Sequence, residues 1–295
     1  MIIVYSCDTE VFRKKLFHIK LTGFGFCKFF YYIDKMNIGK QYIINLINMI
    51  TRKIVIVGLA LLAILTLTCK SEAQVLKPKI TFQEDPLTHN VHIASDGEYY
   101  YTVNGGKQNK GQINKFSFSG EKLGSYEIML DMRSIMHCAK EKKFYVCTYE
   151  QQIYRISDIQ RGIYEMVKSN MYDNGQANLA MSADGKNIYY FNSGKLSIYK
   201  FPGGKIQREI KGFDCGKDFS TGSGSVAFDG KYIYTWNADY KMIFVYDLKG
   251  QKIKTIEIAN GSYGFSLSYA NGLIFVADDG NYDTGTWYGY DLWEK

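Results

Sequence analysis

One pattern constrains this chain more than any other: a tight turn followed by an aromatic strand, written five times. The turn residues Asp96, Glu141, Asp184, Asp229 and Asn271 stand 45, 43, 45 and 42 residues apart. Each turn follows a short alternating stretch (NVHIAS, SIMHCAK, NLAMSA, SVAF, SLSYA) and precedes another (YYYTV, FYVCTY, IYYF, YIYTW, LIFVAD). Alternation around a two-residue Asp-Gly or Asn-Gly turn is the hairpin signal, because glycine accepts the positive φ of a type I′ turn. A third strand follows in every unit (INKFSFSG, IYRISDI, LSIYKFPGG, IFVYDLKG, WYGYDLW), and four units continue into a fourth (KLGSYEI, GIYEMV, KIQREI, KIKTIEI). Four antiparallel strands at this period predict a β-propeller blade. The Tyr-rich run is then the second strand, its rings wedged between blades and its hydroxyls reaching polar partners.

The fifth unit stops at Trp293-Glu294-Lys295 without a fourth strand. KPKITFQ, Lys77 to Gln83, has the character of KIKTIEI and is expected to complete that last blade, removing the exposed edge an open array would leave. The fold class predicted is all-β: a five-bladed propeller of four-stranded blades, closed by an N-terminal strand, over residues 74–295. A six- or seven-bladed protein truncated at its C-terminus is the competing count.

Ahead of the repeats, the chain reads MITRK from Met49, then IVIVGLALLAILTLTC with no charge between Lys53 and Lys70, then KSEA. That order is a signal peptide over 49–73, with Ser71 and Ala73 as the small residues before the cut. Sixteen apolar residues fall short of the roughly 20 that span a bilayer as a helix, so an uncleaved anchor is the alternative. A lipoprotein on Cys69 is a third reading. Residues 1–48, rich in Phe, Tyr, Ile, Lys and Asn, read as a non-native or unstructured extension from an overextended start. The protein is expected in the periplasm of a Gram-negative bacterium or secreted, touching the membrane only through an uncleaved leader, and as a monomer.

Charge narrows the partner. The net charge is +7, but residues 1–73 hold ten Lys/Arg against four Asp/Glu, leaving 26 basic and 25 acidic residues in the repeats. Nucleic-acid binding needs a basic face that releases counterions, and none survives there. A protein or glycan ligand is the expected partner, and the sequence leaves any cofactor unknown.

The repeats resemble the secreted bacterial propeller families of the NHL and YVTN type, whose third strand reads as in IFVYDLKGQKI. The resemblance covers residues 77–295 and implies the fold; such families include binding scaffolds and enzymes, so it implies no activity.

Loops joining each outer strand to the next inner strand are expected around a common opening: EDPLTHN, MLDMRS, KSNMYDNGQAN, KGFDCGKDFSTGS and IANGSYG. They carry Asp85, His89, Asp131, Arg133, Asp173, Asp214 and Asp218 as candidate ligand-binding residues, because an acidic, partly aromatic mouth could bind a cation or sugar hydroxyls. Aspartate is also a favoured turn residue that bonds its own backbone. His92 and His137, each four residues before a turn, are the candidate metal ligands on adjacent inner strands, though imidazoles satisfied along a channel wall are the commoner outcome. A noncatalytic binding scaffold is the leading expectation. The alternative is a glycoside hydrolase or lactonase-like enzyme with two carboxylates at the mouth: EDP with DGEYYYTV resembles the opening of five-bladed glycosidases, but no WAPD-like motif follows in unit two and no Glu-Pro in unit three. NYDTGTW is similar to a sialidase Asp-box but is one residue short, and DDGNYD lacks EF-hand spacing; both are expected as loops. Cys138, Cys147 and Cys215 are an odd count with no CxxC and imply neither a disulfide framework nor a zinc cluster; Cys138 and Cys147 lie on neighbouring strands of one hairpin, either paired or, more commonly, as buried thiols.

Overall fold

The structure, a computed structural model, describes residues 45, 48–57, 75–84 and 89–293. The chain divides into two units, Met1–Glu72 and Ala73–Lys295. In the first, residues 48–57 are helical, and no helix among the described residues is long and apolar enough to cross a membrane. Most of residues 1–48, and the remainder of the leader with Cys69 and the Ser71–Ala73 cut, lie outside the described residues, as does Asp85.

The second unit is five four-stranded antiparallel sheets. Blade 1 holds β2 (His89–Ser95), β3 (Tyr100–Gly105), β4 (Gln112–Phe116) and β5 (Lys122–Glu127). Blade 2 holds β6 (Met132–Cys138), β7 (Lys143–Thr148), β8 (Gln152–Asp158) and β9 (Ile163–Ser169). Blade 3 runs β10 (Leu179–Met181), β11 (Asn187–Asn192), β12 (Lys195–Lys200) and β13 (Lys205–Lys211), and blade 4 runs β14 (Ala227–Phe228), β15 (Ile233–Asn237), β16 (Met242–Tyr246) and β17 (Lys252–Glu257). Blade 5 takes β18 (Ser268–Ala270), β19 (Leu273–Asp278) and β20 (Thr286–Tyr290) from the C-terminal end and β1 (Ile80–Gln83) from the N-terminal side. β1 lies antiparallel on β20, with Ile80 opposite Gly289 and Gln83 opposite Thr286. The inner strands touch in a closed cycle, β2 to β6, β10, β14, β18 and back to β2. Burial falls from the axis outward: β3 is buried along its whole length, while β5 and β13 alternate or stay exposed.

Blades are held by aromatic side chains wedged between their faces. Phe82 of β1 packs on Phe116 at 4.8 Å, stacks with Tyr100 at 6.2 Å and meets Phe275 edge-on at 6.3 Å, so the closing strand belongs to blade 5 by hydrogen bonds and to blade 1 by packing. Burial of a phenyl ring at such a seam contributes about 2 to 3 kcal/mol.

The turns differ from a uniform two-residue hairpin. Only Asn271-Gly272, the least faithful copy, has positive φ at both central residues (47° and 82°), with Ala270 paired directly to Leu273. At Asp96 and Asp229 the loop is four residues long, because the strands pair at Ser95–Tyr100 and Phe228–Ile233. Aspartate holds the wider loop: Asp96 Oδ1 accepts from Glu98 N at 2.8 Å and Tyr99 N at 2.9 Å, and Asp229 Oδ1 from Lys231 N at 2.7 Å and Tyr232 N at 2.5 Å. The second oxygen accepts a second-strand tyrosine hydroxyl, Tyr101 at 2.9 Å and Tyr234 at 2.6 Å. Glu141 does the same for Tyr145 at 2.5 Å. The Asp and the Tyr five residues on are therefore one device, an Asx-type turn locked by a phenol. Cys138, Cys147 and Cys215 are free thiols, the first two buried.

Candidate functional site

Strand alternation sorts the connections onto two ends of the ring. Loops between outer and next inner strands, and loops between second and third strands, leave from one end; the Asp-Gly turns leave from the other.

At the loop end, three blades converge. His89 opens β2, and its Nδ1 donates to Asp279 Oδ2 at 2.6 Å, just past β19; Asn90 N donates to Asp279 Oδ1 at 3.3 Å. A carboxylate on Nδ1 fixes the ring's orientation and its tautomer, leaving Nε2 as the acceptor nitrogen. The imidazole stacks on Tyr263 at 5.8 Å and meets Tyr282 edge-on at 5.2 Å, while Lys107 Nζ lies 4.9 Å from the Tyr282 ring. Burial, with the Asp279 carboxylate second, pushes the Tyr263 hydroxyl well above its ordinary pKa. Gly106 joins this group to the next: its Cα faces His89 and its N–H donates to Asp131 Oδ1 at 2.7 Å. Asp131 Oδ2 accepts from Arg133 Nη2 at 3.0 Å, and the buried guanidinium lies 5.1 Å from the Tyr149 ring. Both carboxylates are engaged by a neighbouring donor or cation. What the cluster offers a ligand is tyrosine rings and an ammonium, an arrangement suited to stacking and hydrogen bonding.

Of the remaining candidate aspartates, Asp218 serves its own loop and Asp173 and Asp214 brace strands of the blade that follows. Asp173 accepts the Tyr190 hydroxyl. Asp214 accepts from Tyr246 Oη at 2.9 Å and Lys252 Nζ at 3.1 Å. Asp218 caps the short 3-10 turn Phe219–Thr221 through a reciprocal pairing with Thr221. In DDGNYD, Asp278 accepts from Ser262 Oγ at 2.7 Å and Tyr288 Oη at 2.8 Å, and Asp283 from Thr284 N at 2.7 Å, so the three carboxylates have separate partners. Among the described residues no three His, Cys, Asp or Glu side chains group as a metal shell.

Lys107, Tyr149, Asp279 and Tyr282 all come from second-to-third-strand loops. Their signal was the strand alternation itself, which sends those loops to the same end as the outer-to-inner ones.

The two candidate metal ligands lie toward the turn end. His92 sits opposite Val103 after a bulge at Val91, and Ser134 sits opposite Cys147 after a bulge at Arg133. The bulges make Ser134 the counterpart of His92, and His137 stands three residues nearer the turns, its ring 5.0 Å from Phe144. His92 Nδ1 donates to Ile135 O at 2.9 Å. Burial drops its pKa to about 4, outweighing that backbone bond, and burial also lowers His137 against the pull of Asp96.

No family model and no curated protein matches the chain. Among solved structures it is similar to the glutaminyl cyclase of Myxococcus xanthus, at 8% identity over 73% of this chain and 97% of that one, with a TM-score of 0.51. It also matches a chain of a nidogen/laminin complex at 12% identity, over 58% of this chain and 81% of that one, with a TM-score of 0.41. At these identities the first likeness speaks for the fold alone and the second carries no argument. Topology and the first of these structural neighbours together identify a five-bladed β-propeller.

Proposed function

We propose that this protein is an exported, noncatalytic binding scaffold that takes a glycan on the loop end of its ring. The observation that carries the reading is the His89–Asp279 pair clad by Tyr263 and Tyr282, with Lys107 alongside and the Asp131–Arg133 pair under Tyr149 next to it. Tyr149, Tyr240 and Tyr282 are exposed on loops of three different blades. Separate ring faces interleaved with charged groups suit sugar rings and their hydroxyls; a protein partner more often calls for one contiguous apolar patch. Among the described residues of the cluster, Asp131 and Asp279 are both engaged by neighbours, whereas glycoside hydrolysis needs a free acid and base. Export rests on the leader composition, and N-terminal sequencing beginning at Gln74 is the expected result.

The test is a glycan array probed with the purified protein, paired with a turnover assay on every glycan that binds. Saturable binding without product is expected, with Tyr282→Ala and Tyr149→Ala each weakening it about tenfold or more while thermal unfolding stays in place. Turnover that disappears in Asp131→Asn would replace this reading with an enzyme.

A further inference from the structure

Three of the five loops between second and third strands present the same pair of side chains. Tyr149 with Glu150 in blade 2, Tyr240 with Asp239 in blade 4 and Tyr282 with Asp283 in blade 5 each set an exposed ring beside an exposed carboxylate. The rings are 47%, 63% and 43% exposed, so a ligand reaches all three. In blade 3 the same loop is cut to Ser193-Gly194, between the paired residues Asn192 and Lys195, and carries neither. Because the inner strands touch in blade order, the tyrosine platforms lie on an arc over blades 4, 5, 1 and 2 that stops at blade 3.

Blade 1 fills the interval between Tyr282 and Tyr149 with polar side chains instead of a ring. Its loop holds the short 3-10 turn Gln108–Lys110, and Gln108 and Asn109 are both exposed. A primary amide offers two donors and an acceptor, which match the hydroxyls of a sugar. Beneath this loop the contacts run without a break: Tyr282 meets His89, His89 faces Gly106, Gly106 bonds Asp131, and Asp131 holds Arg133 under Tyr149.

Two features select the ligand. Facing sheets stand about 10 Å apart, so rings on blades 5 and 2, with blade 1 between them, are separated by about 20 Å, and no single sugar covers both. Charge decides the rest. A carboxylate stands beside every ring, and Lys107 and Lys110 on blade 1 are flanked by Asp283 on one side and Glu150 on the other. A polyanionic chain meets repulsion at each platform, whereas the hydroxyls of an uncharged one donate to those same carboxylates.

We propose that the glycan taken by the loop end is a linear uncharged polysaccharide, laid along the rim from Tyr282 to Tyr149 across Gln108 and Asn109. This rests on the loop end being a glycan surface and adds the length and the charge of the chain that binds.

The test is calorimetric titration with cellohexaose, xylohexaose and maltohexaose, with the disaccharide of each, and with hexagalacturonate. At least one neutral hexasaccharide is expected to saturate and to bind about tenfold or more tighter than its own disaccharide, unchanged as salt rises from about 0.05 to 0.5 M. Hexagalacturonate should give no heat. Tyr282→Ala and Tyr149→Ala should each remove the length dependence, and Gln108→Ala with Asn109→Ala should weaken the hexasaccharide about three- to tenfold while leaving the disaccharide in place. Silence from all three neutral hexasaccharides, a disaccharide as tight as its hexasaccharide, hexagalacturonate binding the tightest, or length dependence that survives Tyr149→Ala would each overturn the proposal while leaving the glycan surface standing. A glycan array with no bound member would remove the surface itself.

Discussion

Trp287 Nε1 donates to Glu84 Oε2 across 3.1 Å, while Asn114 Nδ2 donates to Glu84 Oε1 at 2.7 Å. One carboxylate, just past β1, thus ties a fully buried tryptophan of blade 5 to an asparagine of blade 1. A buried carboxylate is tolerated where both oxygens accept bonds. Glu84→Ala strands both donors in a dry seam and is expected to lose about 3 kcal/mol of stability, read by urea unfolding followed at the tryptophans. A loss below about 0.5 kcal/mol, typical of a surface site, would show that the seam closes without it.

Phe82 leaves its mark on the opposite blade. Gly120 has φ of +84°, and a Cβ there would come within 2.6 Å of Phe82 Cβ, whereas Gly97, at φ of +96°, has open space around it. Both pay about 1 to 2 kcal/mol for a left-handed alanine. Gly120→Ala should exceed Gly97→Ala by about 1 to 2 kcal/mol, because it also pushes on the packed ring. Equal losses would mean that Phe82 yields freely.

The Asp–Tyr locks predict a coupling. Tyr234 Oη donates to Asp229 at 2.6 Å and accepts from Trp293 Nε1 at 3.2 Å. A double-mutant cycle of Asp229→Ala and Tyr234→Phe should return a coupling energy of about 1 to 2 kcal/mol. Simple additivity would reduce the pairing to coincidence of position.

His92 gives stability a pH slope of known sign. Above pH 6.5 the ring is neutral in both the folded and unfolded chain and adds no slope. Below that, the unfolded chain takes up a proton that the buried ring refuses until about pH 4. Stability therefore falls as pH drops from 6.5 to about 4, by about 3 kcal/mol in all, and levels off beneath. Denaturation of the protein and of His92→Gln across this range should show the slope reduced by that amount in the variant; parallel curves would place the titration elsewhere.

The ring and its closure were legible because they are written in periodicity. Four-strand units recur at a fixed spacing, and KPKITFQ supplies the strand the last unit lacks, which β1 and β20 realise residue by residue. Equivalences inside the inner strands were not legible. The bulges at Val91 and Arg133 stand at the same level, but β6 runs one residue further past its bulge than β2 does, and Glu141 falls third in its loop where Asp96 falls first, so His137 stands three residues nearer the turns than His92. Aspartate was ambiguous for a related reason: the same side chain caps a turn at Asp218, anchors a phenol at Asp173 and braces an imidazole at Asp279. Only the position of a distant partner separates these roles, and Glu84, whose partners lie 30 and 203 residues away, offered no local sign at all.

Because β1 and β20 share a sheet, the first strand made must wait for the last. At about 5 to 20 residues per second, ribosomes need roughly 10 to 40 seconds to pass from Gln83 to Tyr290. Throughout that interval Ile80–Gln83 lacks its β20 mate, and blade 5 cannot be completed however many of the earlier blades have been made. Any factor that shields nascent chains would find its natural target in that one unclaimed segment, and a ribosome that stalls before Thr286 releases a product unable to become a ring.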